Sequence, residues 1–232
     1  MSDTLTLSAS CLLDAPGITP LVECSGRLLC EVAPGSGAAA MITDFIQRRF
    51  LQAYGARPEL RIPRLLALTT GRGSLLAAVG VRNAGDERLF LEDYIDAPVE
   101  TLVTGDPPLR RSELAEIAHL AGVEAGVSRF LFAGLTLWLR AQGYRWIAFT
   151  GTDQLRNSFN RMGIPTSSIA PADPARLADG GQGWGGYYDH HPVVMTANVE
   201  TGFQALQGAG LLRCTNWLTE PVDREDRCGH LA

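Results

Sequence analysis

A run of small residues ahead of a long apolar segment is the part of this sequence best suited to chemistry. It comprises Ala121-Gly122-Val123-Glu124-Ala125-Gly126-Val127-Ser128, and we expect a strand before it and a buried helix after it. Small side chains let backbone amides approach a phosphate closely, and a helix N-terminus adds about half an elementary positive charge. Ser128 and Arg129 could add hydrogen bonds. The run is a candidate anion cradle, with a purely structural turn as the alternative.

Carboxylates near this turn are candidates for acid–base work. Glu116 lies within the alternating stretch 112–121, on the face of the predicted strand that carries Leu114 and Ala118. Burial would raise its pKa and suit it to accept a proton, whereas a salt bridge to a buried arginine is the alternative. Glu92 and Asp93, followed by Tyr94, could hold the ammonium group of an amino-acid-like acceptor, or be solvated surface acids.

Other reactive side chains do not form a convincing site. In Asp189-His190-His191, neighbouring residues on a strand would point to opposite faces, so we expect no metal. The five cysteines form no Cys-x-x-Cys pair and are odd in number, which argues against a disulfide framework. There is no Gly-x-Ser-x-Gly nucleophile elbow.

The elements that must position these residues follow from hydrophobic periodicity. Apolar residues at helical spacing predict a helix over 37–54 that ends at Gly55, and 64–70 with 74–82 predict an antiparallel hairpin. The next unit is a strand at 112–121, a helix at 127–142, a strand at 144–150 and a helix capped by Thr152 or Asp153. A strand at 193–199 and a short helix at 202–210 complete a mixed α/β (α+β) fold.

Composition narrows the class of protein. The chain has 232 residues, of which 46% are hydrophobic and 19% charged, so it can bury one large core. We expect an irregular segment with edge strands at 1–35, the main domain at 36–212 and a polar tail at 213–232. A formal net charge of −5 argues against nucleic acid. We expect no integral membrane segment and, from the absence of a signal-like N-terminus, a cytoplasmic location.

Four stretches carry a resemblance to a known family: LFLEDYIDAPVE at 89–100, ELAEIAHL at 113–120, WIAFTGTDQLRNSFNRMG at 146–163 and WGGYY at 184–188. Over roughly residues 40–200 the chain resembles the thermostable hemolysin family. That family is similar to acyltransferases of the GNAT superfamily and to acyl-homoserine-lactone synthases, which take acyl groups from acyl carrier protein. In GNAT folds two strands splay, and the pantetheine arm of the donor lies between them.

The resemblance implies a GNAT-like N-acyltransferase that moves an acyl chain from acyl carrier protein or acyl-CoA to a small amine or amino-acid-like acceptor by direct attack. No cofactor would be bound permanently, since the acyl-CoA or acyl-phosphopantetheine is a cosubstrate. The donor would be held by Leu120, Gly122, Gly126, Val127, Ser128 and Arg129, and its arm by Asn157.

For such a reaction Glu116 is the favoured base and His119 a second catalytic candidate, while Glu92, Asp93 and Tyr94 are the acceptor-binding candidates. Two features depart from the family pattern. Gly122 and Gly126 are separated by three residues rather than one, which favours acyl carrier protein over acetyl-CoA, and His119 stands where the family leads us to expect Asn. The alternatives are a membrane-active hemolysin and a binding module without catalysis.

Overall fold

The computed structural model of the chain describes residues 11–60, 62–104, 107–123 and 126–219. Within them, nine strands form one sheet in the order β7-β8-β6-β5-β4-β3-β2-β1-β9. The strands are β1 (Ile18–Cys24), β2 (Arg27–Val32), β3 (Arg64–Thr70), β4 (Leu75–Asn83), β5 (Leu114–Gly122), β6 (Trp146–Gly151), β7 (Ser167–Pro171), β8 (Val193–Asn198) and β9 (Thr215–Trp217). The helices are α1 (Gly37–Tyr54), α2 (Val99–Leu102), α3 (Ser128–Ala141), α4 (Asp153–Arg161) and α5 (Val199–Gly208).

Local signals account for the first long helix. The Ser36 side chain accepts a hydrogen bond from the Ala39 amide at 3.1 Å, which caps the N-terminus of α1. Ile42 and Ile46 are fully buried on its inner face. Gly55 ends the helix in the left-handed region, with φ of 70°. The predicted helix at 37–54 is confirmed.

The N-terminal hairpin and the last strand extend the same sheet. β2 pairs with both β1 and β3, so it is internal rather than an edge strand. β9 pairs with β1. The sheet therefore continues across the boundaries that we drew at residues 35 and 213, and those boundaries stay a prediction.

The buried helix packs across the middle of the sheet. α3 buries Leu131, Leu135 and Trp138 in the same cluster as Leu29 of β2. Gly134 lets the two elements come close, because a Cβ at that position would lie 3.2 Å from the Leu29 Cβ. The predicted order of strand, helix, strand and helix from β5 to α4 is confirmed.

One strand pair differs from the rest of the sheet. β5 and β6 run parallel and pair from Leu114 with Trp146 to Ile117 with Phe149. All other neighbouring strands in the described residues are antiparallel. No helix in the described ranges combines the length and apolar character needed to cross a bilayer.

Candidate active site

The parallel strands β5 and β6 separate beyond Ile117 and Phe149. β6 continues along β8 to Gly151, while the second half of β5 stays with β4. Between the Gly80–Ala118 and Ala78–Ala121 pairs, β5 contains one residue more than β4, which is the pattern of a β-bulge. The sheet therefore opens between two neighbouring strands.

A small apolar groove, partly open to solvent, lies in this opening beneath α3. Strand residues line it with Ile117, His119 and Leu120 from β5 and Ile147, Phe149 and Thr150 from β6. The helices contribute Phe132, Leu135, Thr136 and Leu139 from α3 and Leu155 and Phe159 from α4. Only one histidine and two threonines among these side chains are polar, so the groove suits an alkyl or acyl chain.

His119 is the titratable side chain that lines this groove. It occupies the bulge with φ of 52°, a conformation that is uncommon outside glycine. Its ring stacks in parallel on Trp184 at 5.5 Å between centroids, and Phe50 meets it edge-on at 5.9 Å. Its buried Nδ1 has no hydrogen-bond partner. Burial, with a smaller effect from Arg82, lowers the His119 pKa to about 4, so the imidazole is neutral at neutral pH.

Glu116, three residues earlier on β5, is buried and fully engaged. Its Oε2 accepts hydrogen bonds from the Arg82 guanidinium at 2.9 Å and the Phe90 amide at 3.0 Å. Its Oε1 accepts one from the Leu91 amide at 3.0 Å. Burial raises the pKa of Glu116, while Arg82 and the two amides oppose that rise. These contacts match the alternative of a glutamate paired with a buried arginine.

Glu92 and Asp93, the acids expected to bind an acceptor, are also paired with arginines of this chain. The two oxygens of Glu92 accept hydrogen bonds from Arg111 at 2.7 Å each, and the Val99 amide donates to the same carboxylate at 3.2 Å. Although burial opposes it, Arg111 and the backbone amides lower the Glu92 pKa. Asp93 forms an ion pair with Arg88. Both carboxylates hold the segment Phe90–Tyr94, a turn of 3-10 helix, in place.

Tyr94 belongs to a cluster of aromatic rings on the α1 side of the sheet. Its hydroxyl lies 2.6 Å from that of Tyr188, and burial together with this bond raises the Tyr94 pKa. The other rings of the cluster are Phe50, Tyr54, Phe90, His119, Trp184 and Tyr187. The sequence analysis did not single out Trp184 as a candidate site residue, although the WGGYY stretch at 184–188 contains it.

The start of α3 has some of the features of an anion-binding site. Gly126 has φ of 90° with open space where a Cβ would lie, and Val127 at the N-cap offers no side-chain acceptor to the first helical amides. Ser128 and Arg129 begin the helix, and Gly122 ends β5. Glu124 and Ala125 of the predicted cradle lie outside the described residues.

Arginines collect beside this helix start. The guanidinium groups of Arg27 and Arg129 lie 3.8 and 4.7 Å from the centroid of the Phe130 ring. Cations over the face of an aromatic ring are attracted by its quadrupole. Phe130 thus holds two positive charges next to the first turn of α3.

Two further predictions concern residues away from the groove. Asn157 is exposed on α4, whose Leu155 and Phe159 are the residues that line the groove. His190 is exposed and contacts the Tyr54 ring at 5.6 Å. In the part of the chain that the structure describes, no three His, Cys, Asp or Glu side chains are grouped as metal ligands.

Known proteins share both the sequence pattern and the fold. Residues 32–203 match the model of the family described as Thermostable hemolysin. No curated protein shows significant sequence similarity to the chain.

Solved structures with the same fold include TofI in an apo form, with a TM-score of 0.54 and 16% identity over 82% of this chain and 96% of TofI. The AHL synthase LasI gives a TM-score of 0.52 and 12% identity over 83% of this chain and 96% of its own. FeeM, an N-acyl amino acid synthase from uncultured soil microbes, gives a TM-score of 0.51 and 13% identity over 76% of this chain and 92% of its own. The predicted mixed α/β fold is confirmed, and it is the fold of TofI, LasI and FeeM.

Proposed function

Because the chain belongs to the thermostable hemolysin family and has the fold of LasI and FeeM, we propose that it is an N-acyltransferase. It would move an acyl chain from acyl-CoA or an acyl carrier protein to a small amine. The observation that carries the proposal is His119, an imidazole with an unpartnered Nδ1 that lines an apolar groove where two parallel strands separate.

The donor would enter from the side of the α3 N-terminus. Free amides at the start of α3 and the guanidinium of Arg129 would hold its phosphate, as amides and dipole at a helix N-terminus favour anions. The pantetheine arm would run between β5 and β6, past Leu120. The acyl chain would then lie against Leu135 and Phe149 in the groove. Asn157 stays a prediction as a contact of the arm.

The reaction is a direct attack on the thioester. The amine nitrogen bonds to the carbonyl carbon, the carbon–sulfur bond breaks, and the sulfur leaves as a thiol. One proton must pass from the nitrogen to the sulfur, and we assign its transfer to His119. Attack places a positive charge on the nitrogen and lowers its pKa, which favours proton transfer to the neutral imidazole of His119.

Glu116 is assigned to position the site rather than to act as the base. Its three hydrogen bonds tie β5 to Arg82 and to the segment that contains Phe90 and Leu91. A carboxylate that accepts this many bonds in a buried place would have to break them to take a proton. We therefore adopt the alternative of a glutamate paired with a buried arginine, in place of the favoured assignment of Glu116 as the base.

Acyl transfer is tested with the purified chain, acyl-CoA and acyl carrier protein donors of short, medium and long chains, and a pool of small amines. Release of the donor thiol and mass spectrometry of the product give the rate and the identity of the amide. We expect His119→Gln to reduce turnover by about 100-fold, the lower end of what a lost general base costs.

His191→Asn is the matched control, because His191 is exposed, lies outside the groove and has φ of 47°, which Asn tolerates. It should act at the wild-type rate. Wild-type turnover by folded His119→Gln would contradict the assignment of His119. Dye release from protein-free liposomes without a donor, in the absence of any acyl transfer, would contradict the enzyme itself.

A further inference from the structure

The aromatic cluster adjoins the groove at His119, which lines the groove and stacks on Trp184. The two rings lie almost parallel, with 1° between their planes. Phe90 and Tyr187 contact the same indole at 5.7 and 5.6 Å between centroids. An amine that approached a thioester beside His119 from the α1 side of the sheet would contact the aromatic side chains of this cluster before it reached the thioester.

Three carboxylates that border this cluster are paired with arginines. Glu116 is bound by Arg82, Glu92 by Arg111 and Asp93 by Arg88. Glu100 is a second partner of Arg111 at 2.7 Å. Among the described residues, the arginines that contact the segment Phe90–Tyr94 or Glu116, including Arg176 with Asp96, are thus each paired with a carboxylate of this chain, so none of them is reserved for a carboxylate of the acceptor.

We infer that the acceptor is an arylalkylamine, an amine with an aromatic body and no carboxylate, and that Trp184 selects it; this rests on the proposed N-acyltransferase function. An aromatic body would pack against the indole in offset or edge-on geometry. A carboxylate in the same place would be buried without a partner, which costs several kcal/mol. The apolar surroundings also favour the neutral amine, which is the form that attacks.

The experiment compares amines with the amino acids that differ from them by a carboxylate. Phenethylamine and phenylalanine, tyramine and tyrosine, and tryptamine and tryptophan are offered with one donor, and phenylalaninamide separates the effect of charge from that of shape. We expect kcat/KM for each amine to exceed that of its amino acid by about 100-fold, a ratio that an unpaired buried charge readily produces. Phenylalaninamide should lie closer to phenethylamine than to phenylalanine.

Variants then assign the selection to the indole. Trp184→Ala should reduce kcat/KM for phenethylamine about tenfold more than for ethylamine, since only the former loses a ring contact. Trp184→Phe should retain most of the preference. Trp217→Ala is the control, because that side chain is 39% exposed on β9, at the far edge of the sheet.

The outcomes separate the two proposals. Acylation of amino acids at rates equal to or above those of the amines would overturn the inference and leave the enzyme an N-acyltransferase. An equal loss for phenethylamine and ethylamine in folded Trp184→Ala would overturn the role of Trp184. Failure to consume any donor with any amine would overturn the proposed function and the inference with it.

Discussion

The two halves of β5 differ in how completely their polar groups are satisfied. From Leu114 to Ile117 the strand is paired on both sides, and Glu116 accepts three hydrogen bonds. From Ala118 onward it pairs with β4 alone, bulges, and presents His119 with an unpartnered Nδ1. The comparison teaches that one strand can hold a fully hydrogen-bonded carboxylate and, three residues later, an imidazole nitrogen that has no hydrogen-bond partner.

Removing the Glu116 carboxylate should have the largest effect on the first half of β5. Glu116→Ala leaves Arg82 and two buried amides without their acceptor, so we expect a loss of about 3–5 kcal/mol in the free energy of unfolding. Denaturant titration measures it. The control is Glu87→Ala, which removes the other partner of Arg82, is 46% exposed and should cost less than about 1 kcal/mol.

Glu116→Gln sharpens the same comparison. Its amide oxygen can still accept hydrogen bonds, so a positioning role predicts a folded protein with most of its activity. A folded but inactive Glu116→Gln would instead restore Glu116 as the base.

His119, in the second half of β5, should make the free energy of unfolding depend on pH. The His119 pKa is about 4 in the folded chain against an ordinary 6.5, so between those pH values the unfolded chain binds a proton that the folded chain does not. Stability therefore falls as the pH drops from 6.5 to 4, by up to about 3 kcal/mol from this group. His119→Gln should lose that part of the slope, and parallel curves for both proteins would contradict the shifted pKa.

The groove between β5 and β6 can be narrowed by a larger side chain on α3. Leu135→Phe adds volume to a packed position and should cost about 1–3 kcal/mol in stability. We expect it to shift the donor preference toward shorter acyl chains, measured as kcat/KM across a chain-length series. An unchanged preference in a folded variant would mean that the acyl chain lies elsewhere.

Asn157 should give the smallest effect. Because the side chain is exposed, Asn157→Ala should change stability by less than about 0.5 kcal/mol. A hydrogen bond to the pantetheine arm would make the donor KM rise about fivefold, as expected for one neutral bond of about 1 kcal/mol. A KM equal to that of wild type would remove Asn157 from the donor site.

The sequence predicted the elements that local periodicity encodes. α1, the β3–β4 hairpin and the run from β5 to α4 all follow from apolar spacing, caps and glycines. β7 was missed because Ser167–Pro171 contains little apolar alternation and is exposed or half-buried throughout.

The site was harder to predict because its contacts are distant in the sequence. Glu116 and Arg82 are 34 positions apart, and nothing local distinguishes a paired glutamate from a free one. The bulge at His119 places a non-glycine residue at positive φ, which no residue type near it signals. The candidate residues stay predictions, because their roles depend on partners that only the fold brings together.

The contact of Gly134 with Leu29 has a consequence for what can be cut from the chain. The segment shared with the family begins at residue 32, whereas the side chain under the middle of α3 comes from before it. A protein that began at residue 32 would lack Leu29, so α3 would lose its packing partner at Gly134. The turn that precedes α3 would then be less firmly positioned.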